Sequence, residues 1–158
     1  MGKTLNVGVI GYGWAATAHI AAINATRQGR VTAVWSSRDL DASALSASHG
    51  SAIRVHRDLA GMLADPSIDV VDITSYPSQH RDQAVAAARA GKHIILEKPM
   101  ANSPTEVADI LAAAEAAGVR GCVCFECRFS SQFQATKALV DEGLLGRLHY
   151  GEVDYYHG

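Results

Sequence analysis

Two kinds of segment alternate along the 158-residue chain. Short, continuous apolar runs rich in Val and Ile are typical of strands buried on both faces, and Ala-rich stretches with helical spacing separate them. The runs predict strands over residues 5–10, 31–35, 53–55, 69–73, 93–96 and 119–125. The intervening stretches predict helices near residues 14–27, 41–48, 57–64, 78–90 and 103–117. Gly91 and Gly118 are expected to end the last two helices.

The alternation of strand and helix predicts a doubly wound α/β fold, in which helices cover both faces of a parallel sheet. Such a fold binds ligands at the carboxyl ends of its strands. Residues 1–122 are expected to form this domain. Residues 123–158 are expected to form a connecting helix and a half-exposed strand, because polar and apolar residues alternate over residues 150–155.

The composition of the chain indicates which kinds of molecule it does not bind. Hydrophobic residues make up 48% of the chain and the formal net charge is −2, so the basic excess of a nucleic-acid-binding protein is missing. The amino terminus, MGKTLNVGVI, does not have the pattern of a secretory signal, and no apolar run reaches the roughly 20 residues of a membrane span. The sequence therefore predicts a cytoplasmic protein that binds neither nucleic acid nor membrane.

The segment VGVIGYGWAATAH connects the first predicted strand to the first helix. Its pattern, Gly11-x-Gly13-x-x-Ala16, matches the turn that holds a dinucleotide pyrophosphate at a helix amino terminus. Gly11 would permit the tight turn, Gly13 the approach of the phosphates, and Ala16 the close packing of helix on sheet. Trp14 and Ala15 complete the expected cofactor loop. The alternative is a plain strand-to-helix turn whose small residues serve packing alone.

The end of the second strand should indicate which dinucleotide is bound. Ser36, Ser37 and Arg38 stand where a carboxylate would bind the adenosine ribose of NAD. Two hydroxyls and a guanidinium group suit the 2′-phosphate of NADP, so NADP is favoured. In the alternative, Asp39 binds the ribose and the cofactor is NAD, although Asp39 and Asp41 fit better as caps of the next helix.

The segment HIILEKPM places Glu97-Lys98-Pro99 at the end of the fifth strand. Together with the glycine turn and the segments DVVDITSYPSQH and CRFS, it resembles the glucose–fructose oxidoreductase/inositol dehydrogenase (Gfo/Idh/MocA) family over nearly the whole chain. The resemblance implies a Rossmann domain of an NAD(P)-dependent oxidoreductase. The implied small-molecule substrates are sugars, polyols or related carbonyl compounds.

By this resemblance, Lys98 lies near both nicotinamide and substrate, where an amine can polarise a carbonyl or share in proton transfer. Glu97 belongs to the same cofactor-binding motif. His80 matches a family histidine and is expected to face the crevice and shape the nicotinamide site. The alternatives are that Lys98 is a solvated loop lysine and that His80 is a surface histidine. Because residue 99 is proline, the peptide bond between Lys98 and Pro99 can be cis.

Family members also carry a sheet-based α+β substrate domain, and the resemblance implies that residues 123–158 form its connecting helix and first strand. The family's Asp/His proton-transfer pair would fall beyond residue 158. Asp154 and His157 have the wrong spacing to replace that pair. The 158-residue chain alone is therefore expected to bind cofactor without turnover. A dinucleotide-binding sensor or regulatory module is the alternative function, and a remnant without ligand is a third. The sequence is also compatible with a protein that forms a homo-oligomer.

All three cysteines lie close together, at Cys122, Cys124 and Cys127, which does not resemble a disulfide framework. A metal site would need a further ligand, for which Glu126 and His149 are only nominal candidates. The sequence therefore predicts buried thiols and no metal.

Overall fold

A computed structural model describes residues 2–156 of the chain. The chain forms two compact units, Met1–Cys124 and Phe125–Gly158. None of the helices within the described residues combines the length and apolarity that a membrane span requires.

The first unit is built on a parallel sheet of six strands in the order β3-β2-β1-β4-β5-β6. The strands are β1 Leu5–Ile10, β2 Gly29–Trp35, β3 Arg54–Val55, β4 Val70–Ile73, β5 His93–Glu97 and β6 Gly121–Cys124. The helices are α1 Trp14–Ala25, α2 Ala42–His49, α3 Leu59–Ala64, α4 Pro77–Arg89 and α5 Pro104–Ala117. This strand order is that of the Rossmann fold, so the predicted fold class is confirmed, and its ligand crevice opens where β1 and β4 diverge.

Local sequence explains where the helices begin and end. Asp41 caps α2 by accepting hydrogen bonds from two backbone amides, as the sequence predicts. Ser103 caps α5, and Pro77 and Pro104 occupy first-turn positions where a missing N–H costs nothing. Gly118 follows α5 in the left-handed conformation, with φ of +65°, which stops the helix.

Two apolar clusters fix the helices on opposite faces of the sheet. One cluster joins α3, α4 and α5 to the sheet through residues such as Met62, Ala84 and Ile110. The other joins α1 and α2 to the opposite face through Ile20 and Leu45. The strands between them are therefore buried on both faces, as continuous apolar runs predict.

The two outermost strands depart from the prediction. β3 pairs over only Arg54 and Val55, and β6 is shorter than the predicted 119–125, with its first two residues exposed. Both strands lie at an edge of the sheet, where a neighbour is missing on one side and helix cover is incomplete. Apolar runs alone do not reveal which strands are at the edge.

The second unit contains a 3₁₀ turn over Glu126–Phe129 and helix α6, Ser131–Asp141. The strand predicted near the carboxyl end does not form, since residues 148–156 have no regular secondary structure. A strand gains its hydrogen bonds from a neighbouring strand, and this segment pairs with none among the described residues. His157 and Gly158, the last residues of that predicted strand, lie outside the described residues.

Candidate functional site: a cleft and a polar cluster

A cleft of about 550 Å³ opens at the carboxyl ends of β1, β2 and β4, within the volume range of small-molecule and cofactor sites. Its walls come from the turn after β1, the end of β2 and the segment that leads from β4 into α4. The lining residues are Gly11, Tyr12, Gly13, Trp14, Ala15, Trp35, Ser36, Ser37, Arg38, Thr74, Ser75, Tyr76 and Gln79. The sequence predicted the glycine loop and the Ser36–Arg38 segment for one site, and the fold brings them together.

The two glycines of the loop differ in their surroundings. Gly11 has φ of +88°, and a Cβ there would lie 3.1 Å from the Ser75 backbone nitrogen. A Cβ on Gly13 would meet no protein atom within 4 Å. Gly11 is therefore required by the fold, whereas Gly13 borders open space in the cleft.

The amino terminus of α1 faces this cleft through its first residues, Trp14 and Ala15. Gly13 is the N-cap and supplies no side-chain hydrogen bond, and the first turn carries no acidic residue. The unsatisfied amides and the positive end of the helix dipole thus remain available to an anion. Ala16 does not line the cleft, because it is fully buried in the packing of α1 on the sheet, the role expected of it.

Arg38 bridges the opposite walls of the cleft. Its guanidinium Nη2 donates a hydrogen bond to the Tyr12 carbonyl oxygen in the glycine loop, while its backbone N–H donates to Ser36 Oγ over 3.3 Å. Ser37 and Arg38 are exposed and Ser36 is half-buried. Since a guanidinium group has five donors, Arg38 can hold the loop and still bind an anionic ligand.

Negative charge is missing from the walls of the cleft. None of the described residues that line it is Asp or Glu. Asp41 is used as the α2 cap, as predicted, and Asp39 is exposed and outside the lining. The walls therefore offer hydroxyl, amide and guanidinium donors for a phosphorylated ligand.

Glu97 and Lys98 lie at the end of β5 and are not among the residues that line the cleft. Lys98 is exposed, and its backbone N–H donates to Glu97 Oε2 over 3.0 Å. The Lys98–Pro99 peptide bond is cis. The Glu97 side chain is half-buried and turns toward α1.

His80 is placed differently from the expectation that it faces the crevice. Its side chain is fully buried, with Nδ1 2.8 Å from the Pro99 carbonyl oxygen and Nε2 3.1 Å from the Ser75 carbonyl oxygen. The ring thus connects the loop after Lys98 to the loop after β4. The first turn of α4 lies beneath these loops, so tertiary packing encloses a side chain that sequence position alone would expose.

A partly buried cluster of polar side chains that the sequence did not predict includes Glu97. His19 Nδ1 is 3.0 Å from both carboxylate oxygens of Asp72, and His19 Nε2 is 3.1 Å from Glu97 Oε1. The hydrogen bond with Asp72 raises the pKa of His19 above its ordinary value, against the opposing effect of burial. Burial raises the pKa of Asp72, and its hydrogen bond with His19 counteracts part of that rise.

Strand register explains why these side chains meet. Asp72 pairs with Ile95 in β5, and Glu97 pairs with Cys124 in β6. Because side chains two residues apart share a face, Asp72, Glu97 and Cys124 all point to the same side of the sheet, toward His19 on α1. His19, Glu97 and Cys124 each offer a metal-ligating atom, and these atoms lie within 4.8 Å of one another.

The other two cysteines do not join this group. Cys122 and Cys127 are exposed, so the expectation of buried thiols is wrong for them, because β6 is an edge strand and Cys127 follows it. Partial burial and the Asp72 charge raise the pKa of the Cys122 thiol.

Sequence reasoning missed two groups of residues. The first is the β4–α4 segment that forms one wall of the cleft, of which Thr74, Ser75 and Gln79 are polar. The second is the cluster around His19. Its signal was Asp72, a carboxylate within the otherwise apolar run VVDI, since a charged residue in a buried strand needs a partner.

Comparison with known proteins gives the family. Residues 5–125 match the family model GFO_IDH_MocA, described as an oxidoreductase family with an NAD-binding Rossmann fold. An uncharacterized oxidoreductase from Synechocystis is 33% identical over 98% of this chain and 41% of its own length. Inositol 2-dehydrogenase 2 from Saccharopolyspora erythraea is 33% identical over 91% of this chain and 43% of its own length.

Solved structures of dehydrogenases have the same fold as this chain. Apo scyllo-inositol dehydrogenase from Lactobacillus casei superimposes with a TM-score of 0.80 at 27% identity, over 91% of this chain and 43% of that one. The WlbA dehydrogenase from Bordetella pertussis, solved in complex with NADH and UDP-GlcNAcA, gives 0.81 at 27% identity, over 92% and 44%. The chain thus spans about two fifths of the length of these relatives.

Proposed function

Because the chain belongs to the GFO_IDH_MocA oxidoreductase family, whose matched domain is an NAD-binding Rossmann fold, we propose that its cleft binds NADP. The protein of which it forms the cofactor-binding part would transfer hydride between NADP and a sugar, a polyol or a related carbonyl compound. The Ser36–Arg38 segment on the wall of the cleft, opposite the glycine loop, carries this proposal.

The glycine loop would hold the pyrophosphate. Gly13 leaves space for a phosphate, and the free amides at the start of α1 would donate to its oxygens. The adenosine end would then extend toward the end of β2, where Ser36, Ser37 and Arg38 stand.

The choice of NADP over NAD follows from charge. An NAD-specific site places a carboxylate against the ribose hydroxyls, and that carboxylate would repel a 2′-phosphate. No such carboxylate lies among the described lining residues, and Arg38 supplies a positive charge. NAD remains the alternative cofactor, with Asp39 as the ribose ligand.

The nicotinamide end would lie toward the end of β5. Lys98 is exposed there and is proposed as the group that contacts substrate and polarises its carbonyl or transfers a proton. His80 would act as a positioning residue, since its ring nitrogens contact the carbonyl oxygens of Pro99 and Ser75 in the two loops that approach this end. Glu97 would support Lys98 through the backbone N–H.

The substrate class rests on the relatives. Inositol 2-dehydrogenase 2 and scyllo-inositol dehydrogenase act, by their names, on cyclic polyols. Because the relatives quoted above are named as oxidoreductases or dehydrogenases, an enzyme is favoured over the sensor. The substrate pocket would require more of the protein than this cofactor-binding part. A homo-oligomer is also compatible with the proposal.

Calorimetric titration of the chain with NADPH and with NADH tests the cofactor. Tighter binding of NADPH is expected, and Arg38→Ala should reduce that preference by weakening NADPH binding more than NADH binding. Equal affinities of the parent chain for the two cofactors would overturn the assignment of NADP.

A further inference from the structure

His19, Glu97 and Cys124 bring three metal-ligating atoms together at the ends of β5 and β6, and of the three only Glu97 has a part in the proposed cofactor site. We propose that His19 Nε2, a carboxylate oxygen of Glu97 and the sulfur of Cys124 form a binding site for a divalent zinc ion, with the fourth position open to solvent. The proposal concerns the first unit alone and does not rest on the proposed function.

The geometry suits a small tetrahedral ion. His19 Nε2 and Glu97 Oε1 are 3.1 Å apart, a separation that two ligands of one zinc can span with bonds of about 2.0–2.2 Å. All three donor atoms lie within 4.8 Å of one another, so a movement of no more than about 1 Å brings the sulfur within its bond length of about 2.3 Å. The three residues come from α1, β5 and β6, whose packing fixes their separation.

The ring of His19 is oriented as a zinc ligand requires. Nδ1 donates to the buried Asp72 carboxylate, with both oxygens at 3.0 Å, which leaves Nε2 as the atom that points at Glu97. A carboxylate behind the distal ring nitrogen is the usual support of a metal-binding histidine, because it fixes the ring and raises its basicity. Asp72 is fully buried in β4 and would keep this orientation with or without the ion.

The donor set favours zinc over harder ions. Mg²⁺ and Ca²⁺ require oxygen ligands, whereas one nitrogen, one oxygen and one sulfur suit zinc. The ion would replace the proton on Nε2 and the thiol proton of Cys124, and both protons would pass to solvent. All three residues are only half-buried, so water can reach the fourth position.

This site differs from the one considered from sequence, in which Glu126 and His149 were the nominal partners of the cysteines. His19 is more than 70 residues from the other two ligands in the chain, and only the strand order brings them together. A bound ion would join α1 to the ends of β5 and β6, directly before Lys98.

Cobalt substitution provides the test, because a Co²⁺–thiolate bond gives a charge-transfer absorption in the near ultraviolet. The purified 158-residue chain, reduced and freed of metal, is titrated with Co²⁺ and then with Zn²⁺. We expect the band to saturate at a single equivalent of cobalt and to disappear when zinc displaces it.

The variants identify the ligands. Cys124→Ser and His19→Gln should each abolish the band, whereas Cys122→Ser and Cys127→Ser, the matched thiol controls, should retain it. Circular dichroism verifies that each variant is folded. If Cys124→Ser does not fold, Glu97→Gln tests the site instead. This variant should shift the band and weaken cobalt binding.

The supporting carboxylate gives an independent measurement. Asp72→Asn should weaken cobalt binding roughly 10- to 100-fold, while Asp69→Asn, which lies just before the same strand and contacts Lys3, should leave it unchanged. The proposal is overturned if the parent chain shows no band, if the band survives Cys124→Ser, or if it is lost with Cys122→Ser or Cys127→Ser.

Discussion

His19 Nδ1 lies 3.0 Å from both carboxylate oxygens of Asp72, a residue with no solvent exposure in the middle of the sheet. This contact joins α1 to β4 through the one polar side chain of that strand. A buried carboxylate without a hydrogen-bond partner is costly, so His19 allows an acidic residue to occupy an otherwise apolar strand.

Truncation of His19 tests this relationship. His19→Ala should lower the free energy of unfolding by about 1–3 kcal/mol, because Asp72 loses its partner while remaining buried. His19→Gln should cost less, since its amide can still donate to Asp72. Urea denaturation followed by circular dichroism measures both, and equal stability of His19→Ala and the parent chain would contradict the role of the contact.

The two glycines of the loop after β1 should respond differently to substitution. Gly13→Val should weaken NADPH binding by about tenfold or more with little change in stability, because its side chain enters the open cleft and meets no protein atom. Calorimetry measures the affinity, and urea denaturation the stability. Unchanged affinity in a folded Gly13→Val chain would mean that the loop is only a turn.

Gly11→Ala serves as the contrasting variant. The positive φ and the contact of 3.1 Å with the Ser75 backbone should cost about 1–3 kcal/mol of stability. A Gly11→Ala chain as stable as the parent would argue against this account of the loop.

Cofactor preference should reverse in Ser36→Asp. A carboxylate at the end of β2 repels the 2′-phosphate of NADPH and accepts hydrogen bonds from the ribose hydroxyls of NADH. Titrations with both cofactors should show NADPH binding weakened by about tenfold or more and NADH binding strengthened. Ser43→Asp, which adds the same charge on α2 outside the cleft, is the control and should leave the preference unchanged.

Acid should destabilise the fold partly through Asp69. The hydrogen bond from the Lys3 ammonium, together with one from the Asn6 backbone N–H, holds the pKa of this carboxyl below its ordinary value of 3.8. A carboxyl whose pKa is lower in the folded state stabilises the fold above the unfolded pKa and loses that contribution as pH falls through the folded pKa. The effect should therefore disappear progressively below about pH 4.

Asp69→Asn isolates this effect. The variant should lose less than about 1 kcal/mol near neutral pH, since Lys3 is largely exposed, and its stability should fall less steeply between about pH 5 and 2. Urea denaturation over a pH series gives both quantities, with Asp39→Asn as the control carboxylate. The same pH slope in Asp69→Asn and the parent chain would contradict the prediction.

Much of the fold follows from the sequence. Continuous apolar runs are typical of strands buried on both faces, and their alternation with helical stretches favours a parallel sheet covered by helices on both sides. The caps at Asp41 and Ser103 and the glycine turn at residues 11–13 act through their own neighbours in the chain. Motif spacing likewise predicts two of the three walls of the cleft, the glycine loop and the Ser36–Arg38 segment.

Contacts between distant residues depended on tertiary structure. His19, Asp72, Glu97 and Cys124 meet only because β4, β5 and β6 are adjacent and in a register that puts three of these side chains on one face. Local patterns carry no information on strand order or register, which the packing of the whole sheet decides. The burial of His80 and the exposure of β6 have the same origin: helix cover and edge position are properties of the assembled sheet. Sequence thus determined the local elements and the glycine turn, and tertiary packing decided which polar groups became partners.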